Sequence, residues 1–509
     1  MAALARVALL VGTCLLPAAA QAAPATPAAD NCIRILGYES SGDKQSMDPA
    51  IMYSGDDAYH IFATYNRLVD LDDNFQPVPE LAESWDVSGD GGIWTFHLRQ
   101  GVKFHDGSAF DAADVVYTFK RLFDSTLASG AKQTLTFIDA DDIKALDPRT
   151  VTFKTKTPIA DLPVLLANKY TNIVAEGAKA EDLRLHENGT GPFVQDEFTP
   201  GGPVRVLKKN PHYWKAGLPK AECLRITVSR EAVAAVSAMK SGEVDLALNI
   251  DPSVVSTLKD DPTVQLLQTG ASNSLTVSMW TDTPPFDDLR VRQAMKLVVD
   301  RQAMVDTVLL GFGEAGADDP LPVGAPASFT KEAPKPDVAK AKLLLAQAGH
   351  PEGLKIDMFT ADGVPGMVRM AKLYAQMAKA AGIQITVNVT PTESYWDDVW
   401  LKRPLVTSSW SMRPASEALS YPYRSISEVN ETHWKRQDYD DLLTKAEGTA
   451  NPAERAKAYQ AAGQLLAEEG GVIIPLFVHQ VLALRKGCTG YTPHAQYFNV
   501  KFEQITCPK

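Results

Sequence analysis

Two histidines and three aspartates fall within the 26 residues HLRQGVKFHDGSAFDAADVVYTFKRL (97–122). Imidazoles beside carboxylates serve both general acid–base chemistry and metal binding, so their placement decides between chemistry and scaffold. Trp94, Phe96 and Leu98 alternate with polar neighbours, as do Val102 and Phe104 around Gly101, which reads as a hairpin. On that parity His97 and His105 face solvent. Asp106-Gly107 reads as a turn. Asp111 sits where a helix N-cap belongs, with Asp114 three residues on and Val115, Phe119 and Leu122 on one helical face. The cluster is therefore read as scaffold.

Other sequences with chemical potential fail in the same way. Gly311-Phe312-Gly313-Glu314-Ala315-Gly316 matches G-x-G-x-x-G, but a helix precedes it and the prolines of ADDPLPVGAP follow. A dinucleotide site needs a strand before the glycines and a helix after them. DVSGDGG (86–92) opens like a calcium loop, yet position twelve is His97, where a bidentate Glu is needed. Asp397-Asp398 and Asp440-Asp441 read as solvated faces. No H-E-x-x-H or G-x-S-x-G occurs. The expectation is no catalytic residues, no metal and no cofactor.

Strands and helices alternate along the chain: 32–38 and 223–229 read as strands, 230–242 as a helix and 243–250 as a strand. A long helical region follows over 289–313, then a helix over 336–349 with Pro336 in its first turn. Residues 354–360, 367–382 and 383–390 read as strand–helix–strand, a βαβ unit. The fold class is α/β, with mixed sheets in more than one domain. A formal charge of -12 argues against nucleic acid as a partner. The opening MAALARVALLVGTCLLPAAAQA has one basic residue, a short apolar run and Ala20-Gln21-Ala22, the pattern of a secretory signal peptide. No later stretch reaches the roughly 18 apolar residues of a membrane span. Leu15 and Leu16 after Cys14 make a poor lipid-attachment site, so a lipoprotein is not expected. Cys32, Cys223, Cys488 and Cys507 remain, an even number in an exported chain, which favours two disulfides among three possible pairings.

Two aromatic segments, TESYWDDVW (392–400) and TSSWSMRPASEALSYPYRSI (407–426), read as proline-interrupted loops. Loops of this kind carrying Trp396, Trp410, Tyr421 and Arg413 fit recognition of a small polar solute.

Four stretches together resemble the dipeptide/oligopeptide-binding family of periplasmic ABC-transporter receptors, the extracellular solute-binding proteins of family 5. They are residues 68–121, then GTGPFVQDEF (189–198) with LKKNPHYW (207–214), then MKSGEVDLA (239–247), then residues 284–313. The resemblance implies a two-lobed class II periplasmic binding protein with an extra domain inserted in the first lobe. It places a signal peptide at 1–22, lobe 1 at 23–60, 190–272 and 480–509, the inserted domain at 61–189, and lobe 2 at 273–479. It implies a monomer that binds a peptide or peptide-like solute between lobes in the periplasm of a Gram-negative cell and delivers it to ABC-transporter permease subunits, without catalysis. Alternatives are a receptor for an opine, sugar conjugate or metal chelate, and an exported hydrolase on a similar scaffold. The expected pairing is Cys32–Cys223, each opening a strand of one lobe, and Cys488–Cys507.

Dipeptide receptors of this family hold the peptide ammonium with an Asp in a W-x-G-D-like loop. Here Trp410-Ser411-Met412-Arg413-Pro414 stands in its place, and the loop 360–366, where an Arg is expected for the peptide carboxylate, has none. Arg413 is thus the expected main ligand contact, for an anionic group, with Trp410 as an apolar wall. Its alternative role is an i,i+4 brace to Glu417. Trp396, Tyr53, Trp280 and Tyr421 complete the expected ligand-binding set. N-terminal sequencing of the exported protein should begin at Ala23; an acylated Cys14 would overturn that expectation.

Overall fold

The computed structural model describes residues 32–37, 45–52, 55–89, 91–127, 129–229, 231–496 and 499–508. The signal-peptide expectation and Tyr53 lie outside them. Within the described residues no helix is long and apolar enough to cross a membrane.

Long apolar runs with little alternation predict strands covered on both faces. Eleven strands form one mixed sheet. From one edge it runs Ile383–Thr390, Leu354–Ala361, Leu405–Ser411, Val264–Met279, Val472–Arg485, Leu246–Ile250, Cys32–Gly37, Cys223–Val228, Val204–Lys209, Phe193–Glu197, with Gly313–Ala315 added on Val472–Arg485. Two of these, of 16 and 14 residues, lie antiparallel at its centre. One end of Val472–Arg485 pairs with Leu246–Ile250, while the far half of Val264–Met279 pairs with Leu405–Ser411. The two halves of the sheet are therefore joined through the long pair. Its register shifts between Gln268, Ala271 and Asn273. Side chains fill in at the break: Thr269 Oγ1 accepts from the Gln480 amide at 2.9 Å, and Ser272 Oγ donates to the Val478 carbonyl at 2.9 Å.

A separate four-stranded antiparallel sheet holds Ala82–Val87, Ile93–Leu98, Thr150–Thr155 and Ile138–Asp147. Helix Ala112–Leu122 packs on it with Val115, Phe119 and Leu122 inward, Phe119 meeting Phe153 edge-on at 5.0 Å. Asp111 caps the helix as expected, and Asp114 adds a return bond to the Asp111 amide, closing a capping box. Both expected disulfides are present. Cys32 and Cys223 are register partners on adjacent parallel strands, and Cys488–Cys507 closes the C-terminal segment. Beside the Cys488–Cys507 bridge, Asp245 accepts from Arg34 at 2.8 Å and forms an ion pair with Arg485 at 2.8 Å, tying three neighbouring strands together.

Several expectations are corrected. Residues 102–104 do not pair back on Ile93–Leu98, whose partners are Ala82–Val87 and Thr150–Thr155. Parity consequently misplaces His105, whose ring is buried against Glu187 and the Gly191 carbonyl, while His97 is exposed beside Asp86. The region 289–313 is broken at Asp300, which caps a second helix, giving Leu289–Leu297 and Arg301–Val308. Asp337, not Pro336, opens Val338–Gln347. The aromatic segments are regular: helix Thr392–Asp398, strand Leu405–Ser411 and helix Ala415–Ser420. Pro404 and Pro414 stand immediately before elements and Pro422 just after one, positions where a missing amide proton costs little.

His60, in helix Gly55–Thr64, is fully buried, and neither ring nitrogen has a hydrogen-bond partner among the described residues. Burial, helped by the nearby Arg205 and His105, holds its pKa well below the usual imidazole value of 6.5. The unfolded chain takes up the proton near 6.5 while the folded one does not, so this residue withdraws stability as pH falls through that value. His60→Phe should flatten the fall of stability as pH drops below 6.5, by at most about 1.4 kcal/mol per pH unit, read as the difference between the two proteins' urea stabilities.

Candidate functional site

Where the long strands cross, a cavity of about 270 Å³ opens against the sheet. Elements from across the fold line it. Asn249 comes from Leu246–Ile250, Asn273, Val478 and Gln480 from the long pair, and Ser409, Trp410 and Ser411 from Leu405–Ser411. Lys169, Val364, Pro365, Trp396 and Arg413 complete it. Asn249 stands at φ +53°, a left-handed conformation that Asn tolerates better than most residues. The lining carries two cations and, among the described residues, no carboxylate.

One wall is aromatic, and a buried carboxylate positions it. Glu431 accepts from Trp410 Nε1 at 3.0 Å, Trp400 Nε1 at 2.8 Å, Ser278 Oγ at 2.6 Å and Ser408 Oγ at 2.7 Å. Ring centroids then follow one another: Trp396 to Trp400 at 5.8 Å, Trp400 to Trp410 at 6.0 Å, Trp410 to Tyr421 at 5.9 Å.

Arg413 lies across this wall, its guanidinium carbon 4.5 Å from the Tyr421 ring centroid and 5.7 Å from that of Trp410. Its Nη1 is 3.7 Å from Glu417 Oε2, so the i,i+4 brace forms, though beyond hydrogen-bond length. Arg413 Nε is buried with no hydrogen-bond partner among the described residues. Glu417 is buried, and Asn168 Nδ2 donates to both its oxygens at 3.2 and 3.3 Å. Burial raises its carboxyl pKa, against the opposing pull of Arg413, the Asn168 hydrogen bond and Lys169.

Of the expected residues, the structure brings Trp396, Trp410 and Arg413 together at the cavity. Tyr421 backs Arg413 and lines a neighbouring cavity of about 610 Å³ instead. Trp280 is elsewhere, stacked on His433 at 4.1 Å beyond the end of a long strand. Sequence reasoning missed Lys169, Asn249, Asn273, Gln480 and Glu431. Asn249 and Gln480 interrupt the apolar runs LALNI and VIIPLFVHQVLALR, a signal that was there to find. Lys169 and Glu431 carry no such mark. One geometric trio of metal-ligand type, Asp245, Cys488 and Cys507, has both cysteines in a disulfide and no thiolate to offer.

Comparison with known proteins agrees with this geometry. Residues 76–431 match the family model for bacterial extracellular solute-binding proteins, family 5. Di/tripeptide-binding protein 1 of Pseudomonas aeruginosa is 30% identical over 491 residues, covering 89% of this chain and 90% of that protein. Heme-binding protein A of Haemophilus influenzae is 29% identical, covering 78% of each. Among solved structures, AgaA in complex with agropinic acid from A. tumefaciens R10 superposes with a TM-score of 0.83 at 25% identity, over 94% of this chain and 99% of that one. The periplasmic binding protein DppA of Helicobacter pylori, in complex with the peptide STSA, shares the fold at 0.82 and 22% identity, over 94% and 98%. A two-lobed α/β fold with a cavity against its long central strands, matched by the family model over most of its length, places this chain among the bacterial extracellular solute-binding proteins of family 5.

Proposed function

We propose that this receptor captures an anionic, peptide-like solute between its lobes and hands it to the membrane subunits of an ABC importer. The single observation that carries the anionic preference is the cavity lining, which holds Lys169 and Arg413 and no carboxylate among the described residues. A free dipeptide brings an ammonium group that finds no counter-charge there, whereas a carboxylate meets a planar guanidinium able to pair through two bonds. The amides Asn249, Asn273 and Gln480 and the hydroxyls Ser409 and Ser411 supply uncharged donors and acceptors for a peptide-like backbone. The names of relatives that bind di- and tripeptides agree with a peptide-like solute, and that of a structural neighbour holding agropinic acid with an acid.

Binding here is a change of population without turnover. A solute touching Asn249 on one side of the long strands and Arg413 on the other favours the closed arrangement only through those differential contacts. The lobes are taken as 23–60, 190–272 and 480–509 for the first, 273–479 for the second, and 61–189 as the insertion. The protein works in the periplasm of a Gram-negative cell after loss of its leader, unlipidated.

Native mass spectrometry of the purified protein should identify a co-purifying acid. Arg413→Ala should weaken its binding by about 10- to 100-fold in calorimetry, the effect of a lost charge-assisted bond of about 1.5–3 kcal/mol. Unchanged affinity in a folded variant would make Arg413 a brace only. Glu431→Gln replaces one acceptor oxygen by a donor facing donors. It should cost about 1–3 kcal/mol in urea unfolding and shift the tryptophan emission, both absent in Glu428→Gln.

A further inference from the structure

Arg413 is also the one residue, among the described residues, that lines both the 270 Å³ cavity and a much larger one of about 960 Å³. The smaller space alone lies below the roughly 300–1,000 Å³ of pockets that enclose drug-sized ligands, and the larger reaches the top of that range. Its walls come from segments far apart in the chain. Phe75 and Val164 belong to the insertion side, and Leu321, Val323, Met412 and Tyr459 to the other. This lining is mostly apolar. Of its carboxylates, Asp161 pairs with Arg455 at 3.1 Å, while Glu314 and Asp73 each lie 3.5 Å from an imidazole, of His479 and His494. Arg413 therefore stands at a junction. On one side lie amides and hydroxyls, and on the other an apolar annex long enough for a side group that a plain dipeptide lacks.

We infer that the preferred solute is an amphiphilic acid: a peptide-like head whose carboxylate pairs with Arg413, and an uncharged apolar group, of the acyl kind, lying in the annex between Val164 and Val323. This deepens the anionic reading of Arg413 and rests on it. The absence of an acidic side chain from the head cavity already favours an amino end that is blocked rather than charged, and an acyl cap is the simplest group that both removes that charge and fills apolar space.

The test uses ligand-stripped full-length protein and three probes in calorimetry: N-acetyl-glycylglycine, N-octanoyl-glycylglycine, and 8-aminooctanoyl-glycylglycine, which ends in an ammonium. The octanoyl probe should bind at least about 10-fold tighter than the acetyl one, from the extra methylenes buried. The aminooctanoyl probe should lose that gain. Val164→Asp and Val323→Asp, at half-buried positions lining the annex, should each abolish the gain while leaving acetyl-probe affinity within about twofold. Equal affinity for acetyl and octanoyl probes, a gain that survives both variants, or tighter binding of the aminooctanoyl probe overturns the annex and leaves Arg413's role standing. Binding of both acyl probes unaffected by Arg413→Ala removes the anionic reading beneath it. No binding of any probe overturns the inference outright.

Discussion

Glu431 is the fixed point of the binding half of this molecule. A carboxylate buried without a cation is tolerated only when its lone pairs are filled. Here they are filled by neutral donors: two indoles and two serine hydroxyls, from the long strand Val264–Met279, its neighbour Leu405–Ser411 and the segment after helix Thr392–Asp398. Bonds to a charged acceptor are roughly twice as strong as neutral ones. The consequence is orientation more than net stability. Each indole has a single donor, and once that donor is committed to Glu431 the ring face is turned to a set direction. Trp410 then carries Arg413, and Tyr421 closes the stack behind it.

What moves must be found elsewhere, and the long pair of strands has the properties required. It joins the two halves of the sheet, and its register is interrupted at Gln268–Asn273, where hydroxyls of Thr269 and Ser272 stand in for ladder bonds. A regular ladder resists bending along its whole length. An interrupted one concentrates the change in a few residues, the usual place for a hinge. Asn273 and Gln480 line the cavity beside this break.

Legibility in the sequence followed the range of the interaction. The Asp111 cap and the Val115–Phe119–Leu122 face depend on neighbours within a few positions, and the βαβ unit joins elements consecutive in the chain, so pattern alone locates them. His105 was misplaced because its burial depends on Glu187 and Gly191, far along the chain, and on a turn that removes it from any strand parity. Trp280 and Trp410 both stand in the expected binding set, yet only the sheet register distinguishes them: one lines the cavity, the other lies past the strand end against His433. The prolines at 404, 414 and 422 looked like interruptions because a proline marks a boundary without saying on which side the regular element lies.

Brace and ligand contact are compatible roles for Arg413. A guanidinium has five N–H donors in a rigid plane. At 3.7 Å, Glu417 interacts with that plane through charge and consumes no hydrogen bond. Glu417 itself is occupied by Asn168, and its burial makes the ionised form costly, so it competes weakly for the donors it faces. The guanidinium carbon lies over the Tyr421 and Trp410 rings, contacts that use none of its N–H donors. A side chain held by charge and stacking has already lost the rotamer freedom that a ligand would otherwise have to remove. The brace is therefore the condition under which a carboxylate arriving in the cleft meets a fork already in place.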